Sequence, residues 1–251
     1  MSTYVITGKR LKQQRYSTFS SRLDQVLIVA SVLSSSANSP LINRILSSPV
    51  SIPRPRTSQT SKRQHPPLRR SSPAILATLS HAAEASKALN GSKIDYLLNN
   101  ASINSVPEQT SLSINPADLE ENIRVNVVGP AKTTQFLLEA DLLSPSARIM
   151  NMSSGLGSMV VSLSIEPRKC ATYSISKAAL NSLTVQQSGE VAQKLGKAVV
   201  ICMDPGWVKA RIGGSGAVLE AEESIDGMLK CVHSLSEVSN GKFFTYTGKE
   251  V

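Results

Sequence analysis

Tyr173 and Lys177 stand four apart in the run Ala171-Thr172-Tyr173-Ser174-Ile175-Ser176-Lys177. Residues at that spacing share a helix face, so the lysine ammonium lies beside the phenol. A phenol titrates near ~10 when unperturbed, too high for easy proton exchange at neutral pH, and a nearby cation lowers that value. Such a phenol can give up and take back a proton as a general acid and base. Upstream, Asn151-Met152-Ser153-Ser154-Gly155-Leu156-Gly157 closes a strand-like run with two hydroxyls before a Gly-rich turn. Taken singly, these features are weak. A helical Tyr and Lys four apart are usually a solvated pair, and Ser-Ser-Gly is usually only a turn.

Other chemistry is poorly supported. Cys170, Cys202 and Cys231 are widely spaced and odd in number, which suits neither a disulfide framework nor a zinc site and reads as buried thiols. His65, His81 and His233 lack metal-ligand spacing. The net charge of +9 is confined: residues 1–75 carry 12 Lys and Arg against the single acid Asp24, while 15 basic and 17 acidic residues leave the remainder at −2. The basic excess therefore does not describe the surface of the body that carries Tyr173.

That body must supply alternating strands and helices. From Ala74 the spacing predicts a helix to Leu89 and strands over Ile94–Leu98, Arg148–Met152, Ala198–Met203 and Lys242–Tyr246. Helices are predicted from Pro116 to about Ser144, from Thr172 to Leu195 and from Glu220 to Leu235, the first opened by an Asn115 cap. Such alternation implies a parallel sheet. Before it, Thr3–Thr7 and Gln25–Val32 read as strands. The tract 34–73, with Ile52-Pro53-Arg54-Pro55-Arg56 and His65-Pro66-Pro67-Leu68-Arg69-Arg70, is Ser/Pro/Arg-rich and reads as a disordered or non-native insert. The expectation is one domain over 1–251. No apolar run approaches the ~18 residues of a membrane span and no secretory signal is visible, so the protein reads as soluble and cytoplasmic.

Taken in order, Asn99-Asn100-Ala101, Asn126-Val127-Val128-Gly129, the serine pair, Tyr173 with Lys177, and Pro205-Gly206-Trp207-Val208 resemble the short-chain dehydrogenases/reductases, in particular the carbonyl-reductase and C-factor branch. The resemblance implies a Rossmann-like, doubly wound α/β sheet. It also implies NAD(P)-dependent reduction of a small ketone or aldehyde, or oxidation of an alcohol, in secondary metabolism. It assigns the proton donor to Tyr173, the substrate-orienting hydroxyl to Ser154, since Ser154 is the serine followed by x-x-Gly, and a proton-relaying water to Asn126. Lys177 would also bind the nicotinamide ribose. Thr7, Gly8, Asn99, Asn100, Ala101, Pro205, Gly206 and Val208 would line the cofactor, and the branch favours NADP(H) over NAD(H). Trp207 is read either as a substrate-side wall or as core packing.

The resemblance fails in one place. A dinucleotide needs its diphosphate close to backbone at a helix N-terminus, an approach that glycine permits. The family supplies Thr-Gly-x-x-x-Gly-x-Gly; here Lys9-Arg10-Leu11-Lys12 follow Gly8, and the next glycine is Gly91. Pro67–Ala74 holds no acidic residue for the ribose, Ser102 stands where glycine is usual, and Ala210-Arg211 replace a frequent Thr-Asp. Either the cofactor half has degenerated, or residues 9–73 include translated intron or shifted frame; the confinement of the damage favours the second. NADP(H) is expected to bind weakly or not at all. The alternatives are an impaired, partner-binding member of the family and a nucleic-acid or membrane binder acting through 9–73, which has no aromatic interleaving to support it.

Overall fold

The computed structural model describes residues 2–8, 18–19 and 26–32 as backbone strands, and Leu89, 91–210, 212–213 and 216–251 with their side chains. The tract 34–73 and the helix expected over Ala74–Leu89 lie outside the described residues, Leu89 excepted. Seven strands form one sheet in the order β2-β3-β1-β4-β5-β6-β7: β1 Ser2–Gly8, β2 Thr18–Phe19, β3 Val26–Val32, β4 Ile94–Asn99, β5 Leu143–Met152, β6 Val199–Asp204 and β7 Phe243–Thr245. Strands β1, β4, β5, β6 and β7 run parallel. The helices are α1 Pro116–Ile123, α2 Gly129–Glu139, α3 Met159–Leu163, α4 Ala171–Leu195 and α5 Ala221–Ser234.

Alternate strand residues point to opposite faces, and both faces are covered. Leu98, Met150, Met152, Ile201 and Met203 pack under Ile225, Met228, Leu229 and Val232 of α5. Leu97, Ile149 and Val200 pack against Leu137 of α2 and Val191 of α4. This is the parallel sheet that the alternation predicts, in the Rossmann-like arrangement that the resemblance implies.

Three elements differ from the expectations. The helix opened at Asn115, whose side chain accepts from the Ala117 N–H at 3.0 Å, is not continuous: Arg124–Val128 form a π-helical turn between α1 and α2. It also ends at Glu139 rather than near Ser144, because β5 begins at Leu143. The proline that argued for a break there lies inside the strand. Ile94 pairs with Leu143 but Tyr96 pairs with Arg148, so Ser144–Ala147 bulge out of the ladder and Pro145 sits among them, where its missing N–H breaks no regular pairing.

The third difference matters most. Strand β3 occupies the expected second-strand residues but pairs with β1 antiparallel, from Ser2 opposite Val32 to Gly8 opposite Val26, and β2 adds to it antiparallel. Antiparallel neighbours are joined by a hairpin-type return, whereas a parallel pair requires a crossover. Among the described residues, β1 therefore has a parallel neighbour only in β4.

Candidate active site

Parallel strands all end at one edge of the sheet, and the chemistry-bearing residues gather at the C-terminal edge of β4, β5 and β6. Strand β4 ends at Asn99, β5 is followed by Ser153 and Ser154, and β6 ends at Asp204 before Pro205. Helix α4 packs across this edge with its first turns, bringing Tyr173, Ser176 and Lys177 inward. The three are 7%, 0% and 0% exposed, so the face that the four-residue spacing defines is the buried one.

Lys177 Nζ lies 5.4 Å from the centroid of the Tyr173 ring and donates to the Met152 carbonyl at 2.6 Å. The pair is adjacent as the spacing requires, but the ammonium lies over the ring face. Burial brings the lysine down from 10.5 to about 7. Burial also pushes the phenol above its ordinary value, and the negative charge of Asp204 adds to this; hydrogen bonding from Ser102 and Ser154 pulls the other way. The sequence argument expects the cation to lower the phenol. In the closed site desolvation disfavours the charged form of both groups and sets the direction of both shifts.

The serine pair divides. Ser153, 1% exposed, donates to Asn181 Oδ1 at 2.5 Å, while Ser154 is the one placed at the phenol; its Oγ accepts from the Leu156 N–H at 3.2 Å. Gly157 allows this turn to rest on α4: a Cβ there would stand 2.8 Å from the Lys177 carbonyl carbon.

Asn126, fully buried in the π-helical turn, fills its amide with protein partners. Its Nδ2 donates to the Ile103 carbonyl at 2.8 Å and Ser176 Oγ at 2.9 Å. Its Oδ1 accepts from the Ile103 N–H at 2.8 Å and Ser102 Oγ at 3.0 Å. An amide offers two donors and an acceptor with two lone pairs, so these bonds saturate it.

Among the residues expected at the cofactor, Asn99 is 2% exposed and donates to Asn151 Oδ1 at 2.8 Å, while its own buried Oδ1 has no hydrogen-bond partner among the described residues. Asn100 is half-buried and Ala101 buried beside it. After β6, Pro205 accepts from Ser224 Oγ at 2.6 Å, Gly206 takes φ +78°, and Val208 bridges to Leu219. Trp207 is 58% exposed and donates to the Gly213 carbonyl at 2.7 Å, which removes it from the core. Thr7 and Gly8 close β1 opposite Leu27 and Val26.

Among the described residues, those that fit a nicotinamide dinucleotide lie at the catalytic end. The catalytic end offers Tyr173, Lys177 and the unpartnered Asn99 Oδ1. At the diphosphate end, Gly8 pairs with Val26 in an antiparallel ladder, and residues 9–17, which follow β1, lie outside the described residues.

Sequence reasoning missed four contributors: Ser102, Ser176, Asn181 and the Met152 carbonyl. Ser102 registered only as a departure from glycine. The i, i+3 step from Tyr173 to Ser176 is the signal that could have exposed the second, since both must face the same side of α4.

Residues 72–216 match the short chain dehydrogenase family. The chain is 29% identical over 158 residues to the C-signal protein of Myxococcus xanthus, spanning 63% of this chain and 92% of that protein. The fold superposes on the NADPH-bound carbonyl reductase from chicken fatty liver with TM-score 0.62 and 32% identity, over 70% of this chain and 72% of that one. The carbonyl reductase Sniffer of D. melanogaster also gives TM-score 0.62, at 26% identity over 70% and 73% of the two chains.

Proposed function

The chain belongs to the short chain dehydrogenase family, a family of oxidoreductases, and from that premise we propose that it reduces a ketone or aldehyde of a small molecule, or oxidises the corresponding alcohol. The observation that carries the reading is the convergence of the Tyr173 phenol, the Lys177 ammonium and the Ser154 hydroxyl at one strand edge. A bound nicotinamide would supply the hydride, with NADP(H) favoured over NAD(H) because the chicken carbonyl reductase is NADPH-bound.

The chain's own residues handle the proton. Ser154 and Tyr173 both present hydroxyls to the substrate oxygen, and Tyr173 gives up its proton as charge builds there. The phenolate left behind is favoured by the Lys177 ammonium across the ring. Lys177 titrates near neutrality, so it takes up charge as the phenolate forms. Asn126 holds the Ile103 backbone and Ser176 in register with α4. The substrate approaches past exposed Met159, Val160 and Trp207, on the segments that follow β5 and β6. That rim suits an apolar carbonyl compound, and a place in secondary metabolism accords with it. No helix among the described residues is long and apolar enough to cross a membrane, which is compatible with a cytoplasmic protein.

A second reading has one observation behind it. The antiparallel β1–β3 pairing favours a member that keeps the catalytic edge but turns over poorly for want of a diphosphate site. Tyr173→Phe separates the two. In the reductase reading it lowers NADPH-dependent reduction of an aryl ketone by about 10²–10⁴-fold with the fold retained. Equal activity of both proteins would reject it.

A further inference from the structure

Helix α4 grips the turn that carries Ser154 through one side chain. Asn181 stands four residues beyond Lys177 and eight beyond Tyr173, so the three form one stripe along the helix. Its Oδ1 accepts from Ser153 Oγ at 2.5 Å and its Nδ2 donates to the Gly157 carbonyl at 3.1 Å. One amide thus bridges the two ends of the segment Ser153–Gly157, and Ser154 lies between them. Inside the segment the Gly157 N–H donates to the Ser154 carbonyl at 2.8 Å and the Leu156 N–H to Ser154 Oγ at 3.2 Å. The Ser153 N–H donates to the Met203 carbonyl at 2.7 Å, which fixes the near end to β6. The far end rests on α4, where a Cβ at Gly157 would stand 2.8 Å from the Lys177 carbonyl carbon.

Resting on the reductase reading, we propose that Asn181 is a positioning residue for the Ser154 hydroxyl: by holding the Gly157 carbonyl, it fixes the turn after β5 against the helix that carries Tyr173 and Lys177. The carbonyl can only accept, and the Ser153 hydroxyl is here a donor, so the side chain between them must offer a donor and an acceptor side by side, as an amide does. The two bonds differ in consequence. The Ser153 hydroxyl orients the amide, and the Nδ2 bond secures the turn. Removing the Ser153 hydroxyl leaves the Gly157 contact in place, whereas removing Asn181 frees Ser154 to shift along α4. Misplacing a group by ~1 Å from a developing charge can cost up to ~10²-fold in rate, and the loss falls on the chemical step more than on substrate binding.

The first readout needs no turnover. Amide exchange at Leu156 and Gly157, followed by NMR in the full chain, reports the two bonds that Ser154 accepts. Asn181→Ala is expected to speed exchange at both by about tenfold or more, while Leu180 and Thr184 of α4 stay within about threefold. Asn181→Asp keeps the size and the Ser153 bond but has no donor for Gly157, and carries the same expectation should the alanine variant fold poorly. The second readout is NADPH-dependent reduction of an aryl ketone. Asn181→Ala is expected to lower kcat by about tenfold with KM within about threefold, and to cost less than about twofold when added to Ser154→Ala. Unchanged exchange at Leu156 in either folded variant, or a kcat loss that persists in full beside Ser154→Ala, overturns the proposal. Faster exchange in a protein that reduces no carbonyl leaves Asn181 in its role and sinks the reductase reading instead.

Discussion

Lys177 lies across the face of the Tyr173 ring and donates a hydrogen bond to the Met152 carbonyl, so the two groups share one buried environment. Neither is exposed enough to charge freely: one is 0% and the other 7% accessible. Their acid–base behaviour follows from that enclosure more than from their mutual attraction.

The enclosure makes stability depend on pH in a definable way. Lys177 titrates at about 7 in the fold against an ordinary 10.5, so between those values the unfolded chain binds a proton that the fold does not, and stability rises with pH. Tyr173 is raised above 10.0, so beyond that pH the unfolded chain releases a proton that the fold keeps, and stability falls. Lys177→Met removes the first contribution. Its Tm should exceed that of the parent by roughly several degrees near pH ~6, with the gain fading towards pH ~10. Thermal melts across that range would contradict this by showing a gain independent of pH.

Ser153 and Ser154 are neighbours with different duties. Ser154→Ala should lower kcat by about 10²–10³-fold, the usual cost of losing a donor at a developing oxyanion. Ser153→Ala should leave kcat within about threefold and instead lower stability by ~1 kcal/mol, because its hydroxyl is committed to Asn181. Steady-state kinetics beside denaturant melts on both variants checks the split; comparable kinetic losses would contradict it.

Much of this site was legible because spacing alone encodes it. Tyr173 and Lys177 meet through helical pitch, and Asn115 caps the helix its side chain announces. What spacing does not encode is solvation: the raised phenol reflects burial by segments remote in sequence. Pairing partners are equally invisible. Gln25–Val32 was legible as a strand, yet nothing in an apolar run says which way its neighbour points. Pro145 misled the reading of the α2 end because a bulge offers a proline the same shelter as a chain break. The short helix Met159–Leu163 buries none of its residues and so left no periodic signal.

Two glycines near α4 should respond oppositely to alanine. At Gly157 a Cβ would meet the Lys177 backbone at 2.8–3.0 Å, and helix backbone cannot step aside as a side-chain tip can. Gly157→Ala should cost about 1–3 kcal/mol. Gly189 lies within α4 with nothing inside 4 Å of its Cβ position, so Gly189→Ala should gain up to ~1 kcal/mol from helix propensity. Urea midpoints would test the pair, and a destabilised Gly189→Ala would show that the helix face there is not open.

The last expectation concerns the dinucleotide, where the two ends of the site disagree. Diphosphate affinity comes from backbone N–H groups at a helix N-terminus reached through glycines, and point charges such as Lys9 and Arg10 do not reproduce that cradle. Among the described residues, Gly8 pairs with Val26, β3 runs antiparallel to β1, and none supplies that cradle, while Tyr173, Lys177 and Asn99 suit the nicotinamide end. NADPH should therefore bind with a Kd weaker than about 100 μM, about 2–3 kcal/mol short of low-micromolar affinity. It should also gain little over reduced nicotinamide mononucleotide, which lacks the adenylate half: about tenfold or less. Isothermal titration with both ligands decides the point. Low-micromolar NADPH with a large advantage over the mononucleotide would mean that a working phosphate cradle forms at β1 after all, and that the antiparallel β1–β3 pairing is not the arrangement that binds.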